Sequence, residues 1–76
     1  MKIFIGAQLS FLTPDKQSRF EMEFDGPTPI VSVLEDLNIS KEMVHLLIIN
    51  GKLANVEDAL VSDQDDVIVY PYISGG

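Results

Sequence analysis

Apolar and polar residues alternate along most of this chain, and the period of the alternation changes at definite points. From Lys2 onward the apolar positions fall mainly on odd numbers, Ile3, Ile5, Ala7, Leu9 and Phe11, with Phe4 between them. Period two predicts a strand across Met1 to Leu12. Thr13-Pro14-Asp15-Lys16-Gln17-Ser18 carries turn chemistry in its proline, aspartate and serine. Arg19 to Phe24 alternates again, with Phe20, Met22 and Phe24 on one side and the acids on the other. This predicts a second strand and, with the first, a hairpin. The period then lengthens. Ile30, Val33, Leu34 and Leu37 fall at helical spacing and define one buried stripe, while Glu35 and Asp36 lie off it. Thr28 is the expected N-cap and Pro29 the first helical residue, where no N–H is needed. Asn38 is the expected stop, followed by Ile39 and a short turn over 40–43.

His45-Leu46-Leu47-Ile48-Ile49 reads as a strand that runs into Asn50-Gly51, a strong two-residue hairpin signal. Lys52-Leu53-Ala54 returns, residues 55–60 suit a single helical turn, and 61–66 form an acidic turn before a last strand, Val67 to Tyr70. Pro71 has no N–H, so regular pairing is expected to stop there. A strand pair, one helix and then more strands predict an α+β domain. Its sheet has four to five strands and its helix is a crossover. The domain spans 1–70, with 71–76 as a flexible tail ending in Gly75-Gly76.

The strands at 46–49 and 67–70 are apolar on both parities. One helix covers one face of a small sheet, so part of the other face must be apolar and exposed. With Leu47, Ile49, Val67 and Val69 toward the helix, Leu46, Ile48, Ile68 and Tyr70 face outward, together with Phe4. An exposed apolar cluster of this kind marks a partner surface; the alternative is that these residues pack under the turn at 55–60.

Composition narrows the function classes. The 76 residues suit one domain, and a hydrophobic fraction of 46% suffices for a packed core. The 12 acidic and 5 basic residues give a formal net charge of −7, which disfavours nucleic acid and anionic membranes and favours a basic partner. The chain has 0 cysteines, so it carries neither a disulfide nor thiol chemistry. No apolar run approaches a membrane span and no signal-peptide pattern opens the chain, so a cytoplasmic location is expected. His45 stands alone among possible catalysts and reads as a surface or packed residue. Asp63, Asp65 and Asp66 lack the glycine and distal glutamate of a calcium loop and read as a solvated turn.

The order strand, strand, helix, strand, short return, strand, Gly-Gly resembles the β-grasp, the ubiquitin-like fold. Ile49-Asn50-Gly51-Lys52 resembles the Val-Asn-Gly turn of the MoaD/ThiS sulfur carriers. Residues 61–67 stand where that family has a Leu-x-Asp-Gly-Asp-x-Val turn. Tyr70-Pro71-Tyr72-Ile73-Ser74-Gly75-Gly76 is similar to the Phe-Pro-Pro-Val-x-Gly-Gly ending of the branch that serves molybdopterin synthesis. Two positions depart from the pattern. Gln64 replaces the glycine of the acidic turn, which would strain a left-handed backbone, and Tyr72 replaces the second proline. Pro71 and Ser74 in turn speak against the thiamine branch, which ends on three glycines.

The resemblance implies a carrier and not an enzyme. An E1-like adenylating enzyme would bind the apolar face and use ATP and magnesium to adenylate the carboxylate of Gly76; this chain itself would bind no cofactor. A persulfide sulfur donor would then convert the adenylate to a thiocarboxylate. The tail would deliver that sulfur to an acceptor protein such as the large subunit of molybdopterin synthase. In this scheme Gly76 carries the sulfur and Gly75 gives the tail its slender end. Phe4, Leu46, Ile48, Ile68, Tyr70, Pro71 and Tyr72 make the docking contacts. Two other readings share these residues: a ubiquitin-like modifier joined to lysines through Gly76, and a plain β-grasp interaction module with an idle tail.

Overall fold

The computed structural model describes residues 1–72; the expected tail glycines, Gly75 and Gly76, lie outside the described residues. The chain forms a small α+β fold. Its strands are β1 (Lys2–Ile5), β2 (Arg19–Glu21), β3 (Thr28–Pro29), β4 (Val44–Ile49), β5 (Lys52–Ala54), β6 (Leu60–Val61) and β7 (Asp66–Pro71), and α1 (Ile30–Asp36) follows β3. Five strands make one mixed sheet in the order β2-β1-β7-β4-β5, and β3 pairs with β6 in a small second sheet. β1 and β7 are parallel, and the other neighbours are antiparallel. β7 therefore occupies the middle of the sheet, bonded on both edges.

α1 has 7 residues, too few to persist on local propensity, so burial of its apolar stripe must hold it. Ile30, Val33, Leu34 and Leu37 are all buried against Ile3, Ile5, Leu47, Val67 and Val69 of the sheet. Its C-terminus closes as the alternation implies. Asn38 takes a left-handed conformation (φ 67°), its N–H donates to the Glu35 carbonyl (3.0 Å), and the Ile39 N–H reaches back to Leu34 (2.9 Å). That pair of bonds is a Schellman motif, sealed by the buried side chain of Ile39.

The N-terminus of α1 differs from expectation. Pro29 is the cap residue and is extended (φ −59°, ψ 132°), and Thr28 lies in β3 opposite Val61. The Thr28 hydroxyl donates to the Gly26 carbonyl (3.1 Å), so it does not cap the helix. The first helical N–H, that of Ile30, donates instead to the Ala59 carbonyl (3.0 Å). A backbone acceptor from the strand connection replaces the side-chain cap.

The first predicted strand also stops early, at Ile5. Ala7 turns to positive φ (51°), and Ala7–Leu12 form a 3-10 helix. Of the apolar residues spaced two apart in this segment, Leu9 enters the core while Phe11 is 68% exposed. At three residues per turn, residues two apart in a 3-10 helix point to different sides, so a spacing that reads as a strand buries only Leu9 here. In the second strand regular pairing ends at Glu21, yet the alternation persists, with Phe20, Met22 and Phe24 packed against the core.

The last strand runs one residue further than expected. Pro71 lies opposite Val44, beyond a bulge that contains His45. A proline is tolerated there because a missing N–H at the last strand residue removes little from the ladder. At the hairpin, Asn50 (φ 53°) and Gly51 (φ 82°) both adopt the positive φ of a type I′ turn. Gln64 has no positive φ. The turn closes through the Asp65 N–H donating to the Ser62 carbonyl (3.0 Å), so the absent glycine causes no strain.

Candidate functional site

Alternation along each strand sends Ile3, Ile5, Leu47, Val67 and Val69 toward α1 and their neighbours to the opposite face. The register then aligns those neighbours. Arg19 pairs with Phe4, Phe4 with Ile68, Ile68 with Ile48, and Ile48 with Leu53, so one row crosses all five strands. At the usual strand spacing this row is about 19 Å long. Leu46 and Tyr70 pair directly in the next row. The ring of Phe4 meets that of Tyr70 edge-on, with centroids 6.1 Å apart and planes at 64°. The expected residues Phe4, Leu46, Ile48, Ile68 and Tyr70 thus come together on one open face. Leu46 is 37% and Tyr70 38% exposed, while Phe4, Ile48 and Ile68 are half-buried between them.

The other expected residues are placed differently. Pro71 is buried on the helix side, so its ring is not part of the exposed face. Tyr72 lies past the end of β7 and is exposed, with its ring centroid 4.6 Å from that of His45. The bulge in β4 carries His45 out of the regular ladder and into that contact.

Three residues at this face were not singled out by the sequence, and a fourth, His45, was read only as a surface or packed residue. Arg19 holds its guanidinium 5.0 Å from the centre of the Phe4 ring. Leu53, at 73% exposure, extends the apolar row to the sheet edge. Gly6 lies under the Tyr70 ring: a Cβ there would stand 2.5 Å from Tyr70 Cδ1 and 3.2 Å from the Val69 carbonyl oxygen. His45 supports Tyr72. Arg19 and Leu53 share the outward parity of their strands, a signal present in the alternation. The Gly6 and His45 contacts arise from tertiary placement and left no local trace.

The acidic turn is exposed at Asp63, Gln64 and Asp66, as expected of a solvated turn, and hydrogen bonds make it a clasp as well. The Asp65 carboxylate accepts from Asn50 Nδ2 (2.8 Å) and from the Ser62 N–H (2.8 Å). Asn50 Oδ1 accepts from the Asp66 N–H (2.9 Å), and the Asp63 carboxylate accepts from the Phe24 N–H. The bond from Asn50, with those from Ser62, holds the Asp65 carboxyl below its ordinary pKa. Among the described residues no cluster of three or more histidine, cysteine, aspartate or glutamate side chains is placed to hold a metal ion. Among these residues, too, no helix is long and apolar enough to cross a membrane. Compared with models of known families and with curated proteins, the chain matches none.

Proposed function

We propose that this chain is a β-grasp sulfur carrier, whose C-terminal glycine is adenylated by a partner enzyme and converted to a thiocarboxylate. One observation carries the reading: the open apolar face is built on the same central strand, β7, that leads into the Gly-Gly tail. A partner seated on Ile68 and Tyr70 therefore holds the strand from which the tail departs. From Tyr72, the four residues to Gly76 can reach at most about 14 Å when extended. Docking on the face thus brings the terminal carboxylate within a fixed radius of a partner's active site, and the proximity lowers the entropic cost of reaction.

In the proposed chemistry, a Gly76 carboxylate oxygen attacks the α-phosphorus of ATP, and pyrophosphate leaves. The terminal sulfur of a persulfide then attacks the acyl carbon and displaces AMP. A thiol cleaves the resulting acyl disulfide, leaving the thiocarboxylate on Gly76 and a disulfide on the donor. The chain has no cysteine, so both sulfur atoms and the thiol come from partners. ATP and magnesium belong to the adenylating enzyme. The proline-containing, Gly-Gly ending favours molybdopterin synthesis as the destination, with a synthase large subunit as the sulfur acceptor.

Intact mass spectrometry tests the proposal. The chain is incubated with the adenylating enzyme of its own genome, ATP, magnesium and a persulfide donor, and the mass of its C-terminal peptide is compared before and after. Replacement of one oxygen by sulfur in that peptide, abolished when Gly76 is deleted, supports the carrier. Appearance of the chain on lysines supports the modifier reading instead. No adenylate at all leaves an interaction module.

A further inference from the structure

Charged residues on the open face fall into two groups. Lys2 lies directly opposite Glu21 on one side and Asp66 on the other, so each neighbouring strand offers it a carboxylate. Arg19 differs, because its cross-strand neighbour is the ring of Phe4. Glu21 shares its strand face but stands about 7 Å further along. The ion pair found among the described residues, Lys41 with Glu57, lies elsewhere. Most of the chain's acids lie off this face: Glu35 and Asp36 on α1, Glu42 before β4, Glu57 and Asp58 before β6, and Asp63 and Asp65 in the clasp. A guanidinium thus sits at the end of an apolar row, in a chain of net charge −7.

Arg19 lies over the Phe4 ring, and no hydrogen bond or ion pair among the described residues engages its guanidinium, so its N–H groups can reach a partner. Guanidinium groups favour this combination of aromatic stacking and bidentate carboxylate binding, and arginine beside aromatic residues is a common anchor at interfaces. We infer that Arg19 is an electrostatic anchor of the docking face and receives a carboxylate from the partner. The partner segment then carries an aspartate or glutamate next to an apolar side chain that covers Phe4, Ile68 and Tyr70. The carboxylate fixes the register of the partner on the face, and the apolar contact supplies the buried area. The inference rests on the proposed docking of an adenylating enzyme at this face.

The test measures the affinity of the full chain for that enzyme without ATP, so that binding is read apart from chemistry. Arg19→Gln is expected to weaken binding by about 10- to 100-fold, the range for losing a hydrogen bond between charged groups. Arg19→Glu is expected to weaken it further, and Arg19→Lys to recover part of the loss. Lys16→Gln changes the net charge as much as Arg19→Gln, but in the short 3-10 helix Pro14–Lys16, and is expected to alter binding by less than about threefold. Unfolding midpoints of all four variants check that the fold is intact. Wild-type affinity in Arg19→Gln, or an equal loss in Lys16→Gln, overturns the anchor while leaving the docking face standing. No binding by the wild-type chain overturns both.

Discussion

Adding one methyl group at Gly6 tests the geometry of the open face more sharply than removing a large side chain. Gly6 has φ −86° and ψ 160°, an extended conformation open to any residue, so backbone strain plays no part. The obstacle is the space above it. The new Cβ would lie 2.5 Å from a Tyr70 ring carbon and 3.2 Å from the Val69 carbonyl oxygen. The ring can swing outward, but it then loses its edge contact with Phe4, worth about 0.5–1.5 kcal/mol. The backbone oxygen yields less easily, and overpacking of a fitted site costs about 1–3 kcal/mol. We expect Gly6→Ala to destabilise the domain by roughly 1–3 kcal/mol, a fall in Tm of about 5–20 °C for a domain of this size. Urea unfolding followed by circular dichroism measures it, with the midpoint falling at constant slope. In a Tyr70→Ala background the same substitution should cost clearly less, because the ring is gone and only the 3.2 Å approach to the Val69 carbonyl oxygen remains. Equal penalties in the two backgrounds would refute the argument, since the clash would then lie elsewhere.

Other substitutions test the core and the clasp. Leu34→Ala removes a fully buried side chain of α1 and should cost about 2–5 kcal/mol, enough to unfold much of so small a domain; urea midpoints read it. Asn50→Ala loses two side-chain hydrogen bonds and keeps a strained positive φ, for about 1.5–3 kcal/mol, whereas Asn50→Gly relieves the strain and should cost roughly half as much. Asp65 adds a pH dependence. Its folded pKa lies below the unfolded value of about 3.9, so its contribution is complete above that value and disappears as pH falls through the folded pKa. The stability difference between the wild-type chain and Asp65→Asn should therefore shrink on acidification; a difference that widens below pH 4 contradicts the assignment.

How far the sequence revealed this arrangement depends on what each residue touches. Strand parity at 46–49 and 67–70 placed Leu46, Ile48, Ile68 and Tyr70 on the open face, because alternation is a local property of extended backbone. Asn38 and Asn50-Gly51 were legible for a similar reason: positive φ selects few residue types. The stretch from Ala7 to Leu12 misled, since its apolar residues at every second position point to different sides of a 3-10 helix that buries Leu9 alone. Thr28 looked like a cap until Ala59, distant in sequence, supplied the acceptor. Gly6 under Tyr70, and His45 against Tyr72, depend on the register of parallel β1 and on a bulge in β4. Neither is encoded in neighbouring residues.

The parallel pairing of β1 with β7 has a mechanical consequence. Suppose force is applied outward at the start of β1 and at the end of β7, as when a translocating motor grips the C-terminus while the rest of the molecule is held. Because the strands run in the same direction, the two pulling points lie at opposite ends of the shared ladder. The bonds from Lys2–Asp66 to Ile5–Val69 are then loaded together in shear and cannot peel one at a time. Handling of the tail can thus be forceful without dislodging β7 from β1, since that ladder must break in one event.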